Sequence, residues 1–142
     1  MDYEIKVTKE QAWVIQRCLE FFSRISMGQF RELLYAVMGS PGYEKLDPSS
    51  RDSFSHLLES LRVVFNGSAN TYYGISGDMA PKDAKIAWDL YQVVRNRLAW
   101  DDHPEGNPMS VCFDEPWAVS DEPLAEMKKV VDEERKEEKK DV

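Results

Sequence analysis

The segment Arg97-Leu98-Ala99-Trp100-Asp101-Asp102-His103, with Glu105 just beyond it, gathers the side chains of this chain best suited to chemistry. An imidazole titrates near neutral pH and can move a proton, while a guanidinium can steady the charge that develops on a phosphate. Arg97 and His103 are therefore candidates for His-assisted hydrolysis of a nucleotide or RNA. Asp101, Asp102, His103 and Glu105 also offer oxygen and nitrogen ligands to a divalent ion, although their order matches neither an EF-hand loop nor a zinc site. Both readings meet one objection: the carboxylates beside His103 repel an anionic substrate. A solvated acidic loop accounts for the same residues. No catalytic residue, metal ligand or cofactor is assigned here.

Binding chemistry is spread more widely. Trp13 falls outside the apolar pattern of its helix and shares that side with Arg17 and Arg24, a combination that suits a cation–π platform for a partner or a planar ligand. Tyr72 and Tyr73 lie in a long connection, residues 66–80, and long connections often carry function. Gly74 and Gly77 precede a helix and would let backbone amides turn toward an anion, but the Lys-Ser/Thr pair of a phosphate loop is missing and Asp78 opposes the charge. Arg95, Arg97, Trp100 and His103 complete the ligand- or partner-binding candidates. His56 has no second His or Cys near it in sequence and is not read as a metal ligand. Cys18 and Cys112 are read as small buried hydrophobes in a reducing compartment.

These residues need elements to hold them. The pattern over residues 80–100 predicts a helix, with Asp78 as N-cap and Pro81 in its first turn. Its apolar positions Ile86, Ala87, Leu90, Tyr91, Val93, Val94 and Leu98 form a broad side, with Lys85, Asp89, Gln92 and Asn96 opposite. A side this broad needs neighbours on both flanks, which makes this helix the centre of the fold. Arg97 projects into that side and must reach water, a carboxylate or a ligand. Earlier in the chain, Thr8 and Gln11 form a capping-box pattern before a helix whose core stripe is Val14, Ile15, Cys18, Leu19, Phe21, Phe22 and Ile25. Gly28 ends it. A second helix over residues 29–38 follows, and Asp47-Pro48 starts a third with Phe54, Leu57, Leu58, Leu61, Val64 and Phe65 as its buried side. Alternation over residues 1–7 predicts a strand, and a partner strand is expected over 109–115.

The expected architecture is mainly α (α+β): four to five packed helices around a central late helix, with a small two-stranded β element. Residues 1–117 form one globular domain, and residues 118–142 a charged C-terminal helix or tail. The net charge of −8 is unevenly placed, since residues 1–100 balance 12 acidic against 12 basic side chains and the excess lies beyond them. Such acidity argues against direct nucleic-acid binding, which needs basic surface to displace counterions. No apolar run approaches the ~20 residues that span a bilayer, so a soluble, cytoplasmic protein is expected.

Two resemblances add to this. Residues 97–103 resemble in spacing the Arg and His of a HEPN-type ribonuclease motif, which implies RNA cleavage through Arg97 and His103. The strings at 25–30, 98–101 and 113–117 resemble those of small phage and prophage proteins of unassigned role. That resemblance implies a viral accessory protein acting on host machinery or on a host signal molecule. The expected function is accordingly non-catalytic: binding of a host protein, or sequestration of a small anionic, nucleotide-like ligand to counter host defence. Homo-oligomerisation is a further expectation. A metal- or His-assisted nuclease or phosphohydrolase, and an acidic inhibitor that mimics nucleic acid, are the alternatives.

Overall fold

The computed structural model of the protein describes residues 3–66 and 74–130. Over these residues the chain forms five helices, α1 (Lys9–Ser26), α2 (Glu32–Val37), α3 (Pro41–Glu44), α4 (Pro48–Asn66) and α5 (Lys82–Asp102), followed by a 3-10 turn at Val111–Phe113. The protein is mainly helical, as its periodicity implies. No strand forms among the described residues, which corrects the expected β pair at 1–7 and 109–115. The reason lies in α5. Arg95 donates to the carbonyl of Val111, and the Asn96 amide donates to those of Cys112 and Asp114. Helix side chains thus take the acceptors that a neighbouring strand would have used.

Local signals near the helix starts are mostly realised. The Thr8 hydroxyl accepts from the Gln11 N–H at 3.2 Å and Gln11 Oε1 accepts from the Thr8 N–H at 2.9 Å, so the capping box is complete. Asp47 Oδ1 accepts from the Ser50 N–H at 3.0 Å and Pro48 opens α4. These donors hold the Asp47 carboxyl below the usual carboxylate range, the Ser50 hydroxyl contributing most. The start of α5 differs from expectation: Pro81 is the N-cap, with no side-chain hydrogen bond, and Asp78 lies outside the helix. Gly28, at φ 76°, closes α1 by donating to the Ile25 carbonyl at 2.9 Å, a conformation that only glycine adopts without strain.

Helices α1 and α5 are antiparallel neighbours. Lys9 pairs with Asp102 at one end, and near the other the Ser23 hydroxyl donates to the Ala84 carbonyl at 3.0 Å, with Arg24 stacked on the Trp88 ring. Small side chains permit this contact. Ala12 and Ser23 on α1, and Ala84 and Ala87 on α5, are all buried, and helix axes approach closely only where side chains are short. Gly28 and Met27 then lead the chain away beside a small apolar cluster of Met27, Ala80 and Ala84, with Ile75 against it.

The far side of α5 is covered by chain without regular secondary structure rather than by helices. Asp89 is only 5% exposed and accepts three hydrogen bonds, from the N–H groups of Val119 (2.8 Å) and Ser120 (3.0 Å) and from the Ser120 hydroxyl (2.6 Å). Gln92 donates to the Trp117 carbonyl at 3.0 Å. With Asn96, these residues at 89, 92 and 96 form one helical stripe that grips the backbone of residues 112–120. This side, opposite the apolar one, is thus the polar seat of the C-terminal segment. Of the segment expected to form a charged C-terminal helix or tail, residues 118–130 have no regular secondary structure, and residues 131–142 lie outside the described part of the chain.

Helix α4 touches the chain before it through isolated side-chain contacts rather than through a packed helix face. Phe65 meets Phe30 edge-on at 5.5 Å, Phe54 meets Tyr43 at 6.4 Å, and Arg51 stacks on Tyr43 while donating to the Glu44 carbonyl. The central position of α5 thus comes from α1 and the C-terminal segment, not from a ring of earlier helices.

Candidate binding surfaces

Where α5 ends, the extended residues 3–8, the start of α1 and residues 126–130 enclose a groove of about 760 Å³. This volume lies within the range of clefts that hold small molecules. Arg97 lines it, and its guanidinium holds Asp101 at 2.5 Å, so this arginine has found the carboxylate it needs one turn along its own helix. Lys6, Lys9, Lys128 and Lys129 bring further positive charge, and Glu4, Asp101 and Glu126 line the same space. Most of these charges are already matched. Lys9 pairs with Asp102, an interaction that raises the lysine pKa, and Lys128 pairs with Glu126 at 2.7 Å, raising the lysine and lowering the carboxyl.

The acid–base candidates do not converge there. His103 caps the C-terminal end of α5 with an exposed ring 3.3 Å from Glu105, and it is not among the residues that line the groove with Arg97. General acid–base chemistry needs both groups on one reacting atom. Nor do the carboxylates at 101, 102 and 105 assemble: among the described residues no group of three or more His, Cys, Asp or Glu side chains is disposed to hold a metal ion.

The remaining candidates are dispersed. Arg24 is occupied by Glu20 at 2.9 Å, by Gln29 and by the Trp88 ring. Arg95 serves the C-terminal segment through Val111 and stacks on Tyr91, whose phenol burial pushes upward in pKa. Trp100 packs edge-on against Phe113 at 5.1 Å and lies against Gly106, where an added Cβ would come within 3.0 Å of its ring. That indole is thus a structural brace for the turn after α5, with an exposed flank. Trp13 and Arg17 are exposed on α1, and Tyr72 and Tyr73 lie outside the described residues.

Periodicity alone does not reveal the largest feature of the surface. Most of the apolar stripe of α1, expected in the core, faces outward: Val14, Ile15, Phe21 and Phe22 are exposed, and so is Cys18, while Leu19 and Ile25 are half-buried. The side of α1 that packs on α5 is instead the one carrying Ala12, Gln16 and Ser23. Helix α4 repeats the inversion. Leu57, Leu61, Val64 and Phe65 are exposed, Val64 at 81%, and Leu58 alone of the expected stripe is buried. The physical cause is competition for α5, whose close contact admits small side chains and excludes Phe and Ile. A signal was available in the sequence, since Ala12, Gln16, Leu19 and Ser23 also repeat at helical spacing. Four of the eight buried apolar residues among those described are alanines, so the described residues bury few large apolar side chains.

No family model, no characterised protein and no solved structure matches the chain. No helix among the described residues is long and apolar enough to cross a membrane.

Proposed function

We propose that this chain is a phage-type accessory protein without catalysis, which works by binding a protein of the host through apolar helix faces. The observation that carries this reading is the outward apolar side of α4, where Leu57, Leu61, Val64 and Phe65 form a continuous row at helical spacing. Apolar rows of this kind are costly to leave in water, and on soluble proteins they mark contact sites. Spacings of four, three and one residues place these side chains as anchors of the type that a helix presents to an apolar groove. Trp13 and Arg17, residue types enriched at the centres of protein interfaces, add a second exposed point on α1. Sequestration of an anionic ligand draws less support, because Lys9, Arg97 and Lys128 at the groove are each held by a carboxylate.

The test is affinity capture from host cells with the wild-type chain and with Val64→Glu. The wild type is expected to retain one protein at near-equal stoichiometry, and the variant to lose it while keeping its helical circular dichroism. Equal capture by both chains, or no retained protein, contradicts the reading.

A further inference from the structure

We infer that the groove at the end of α5 seats an extended peptide of a partner protein, which adds as a strand alongside residues 3–7. The inference goes beyond the proposed function, since it concerns a different surface and an occupant recognised by its backbone. Tyr3, Ile5 and Val7 alternate with Glu4 and Lys6, and aromatic and β-branched residues in this order suit a strand. No strand forms there, because the carbonyls of the segment expected to pair with it are taken by Arg95 and Asn96 of α5. Among the described residues, no hydrogen bond engages the backbone of Glu4, Ile5 or Val7, and none engages the backbone of residues 126–130 across the groove. The two walls thus line one groove without pairing with each other. Open donors and acceptors along a segment of strand composition are the template on which a further strand adds.

The side chains of the groove say what kind of peptide fits. Ala12 and Leu98, both buried, line it together with the half-buried Val7, Met127 and Val130, and apolar side chains at every second position of a strand can lie against these. Most of the charges are closed among themselves. Arg97 holds Asp101, Lys9 holds Asp102 and Lys128 holds Glu126, so a small ion has to break a pair in order to bind. Glu4 on one wall and Lys129 on the other have no ion-pair partner among the described residues. A peptide with a basic and an acidic residue between its apolar ones answers both, whereas a small anion answers only Lys129. Ile5 is 78% exposed, so the wall is open to an incoming chain.

The experiment selects on the full chain from a displayed library of random octapeptides, and the enriched peptide is synthesised for fluorescence anisotropy. Apolar residues should recur at every second position, with an acid and a base between them. Successive residues of a strand turn their N–H groups to opposite edges, so N-methylation of either the odd or the even residues of the peptide removes the donors of one edge. The series that strips the edge facing residues 3–7 should weaken binding roughly tenfold or more. In the protein, Glu4→Pro and Ile5→Pro remove a donor from either edge of the wall, and one of them should lose affinity to about the same extent while both keep the helical circular dichroism. Ile5→Thr, which keeps the donor and suits a strand, should bind within about threefold of wild type, and this separates the backbone from the side chain. Failure to enrich any peptide, enrichment at helical spacing, or unchanged affinity of both methylated series or of both proline variants overturns the inference. Val64→Glu, on α4, should bind the peptide as the wild type does, so peptide binding and capture of a host protein fail separately.

Discussion

The outer stripe of α1 and the far stripe of α5 are opposites in composition and in fate. On α1, Val14, Ile15, Phe21 and Phe22 have core composition and are a third to a half exposed; on α5, Asp89 and Gln92 have surface composition and are buried. Helical periodicity identifies which residues share a side. It does not say which side is covered, because that depends on what the rest of the chain brings. Here the chain brings α5 a segment without regular secondary structure, whose backbone groups at 111, 112, 114, 117, 119 and 120 are met by polar side chains of α5. It brings α1 a close helix neighbour that accepts only small residues.

This contrast orders the expected effects of substitution. The largest should come from Asp89→Ala, which leaves the part-buried Val119 and Ser120 N–H groups without their buried acceptor and releases the segment over α5. Charge-assisted bonds and the desolvation of orphaned amides together suggest a loss of about 3–4 kcal/mol in urea unfolding. Rapid hydrogen exchange at residues 117–122 should accompany it. Ser23→Leu comes next. Ser23 is fully enclosed against α5, and overpacking there should cost about 2 kcal/mol by thermal melting, although the substitution raises hydrophobicity and helix propensity. Phe22→Glu should cost less than about 1 kcal/mol in the monomeric chain, since its ring is half exposed and Glu is a good helix former.

The smallest effect concerns Asp47. Its carboxyl is held below the ordinary value by the Ser50 donors, so the ionised form is favoured by folding. Its contribution is complete above the unfolded carboxylate value of ~4 and is lost as pH falls through the lower folded value. Asp47→Asn should therefore narrow the difference in stability between neutral and acid pH, as read from melting curves at a series of pH values.

The legible parts of the fold were those decided within a few residues. The Thr8–Gln11 box, the Asp47-Pro48 start, the Gly28 stop and the helical character of residues 82–102 depend on local geometry, and the sequence carries that geometry directly. What depends on distant partners was not legible. Asp89 reads as solvated until residues 119–120 are placed on it, and the strand pattern at 109–115 is overridden by Arg95 and Asn96. Likewise, the position of Arg97 on the apolar side demands a carboxylate, a water-facing exit or a ligand, and Asp101 one turn away supplies the first. Its separation from the exposed His103 followed from how the helix ends, with His103 turned out beside Glu105.

The central claim, that the buried and exposed stripes are exchanged relative to composition, is tested most directly by one comparison. Unfolding free energies of Asp89→Ala and Phe22→Glu are to be measured side by side in urea, at concentrations where the chain is monomeric. The account predicts that loss of the polar Asp89 costs at least ~2 kcal/mol more than placing a charge at Phe22. If the Phe22 substitution unfolds the chain while Asp89→Ala leaves it near wild-type stability, the apolar stripe of α1 is the core and the account is wrong.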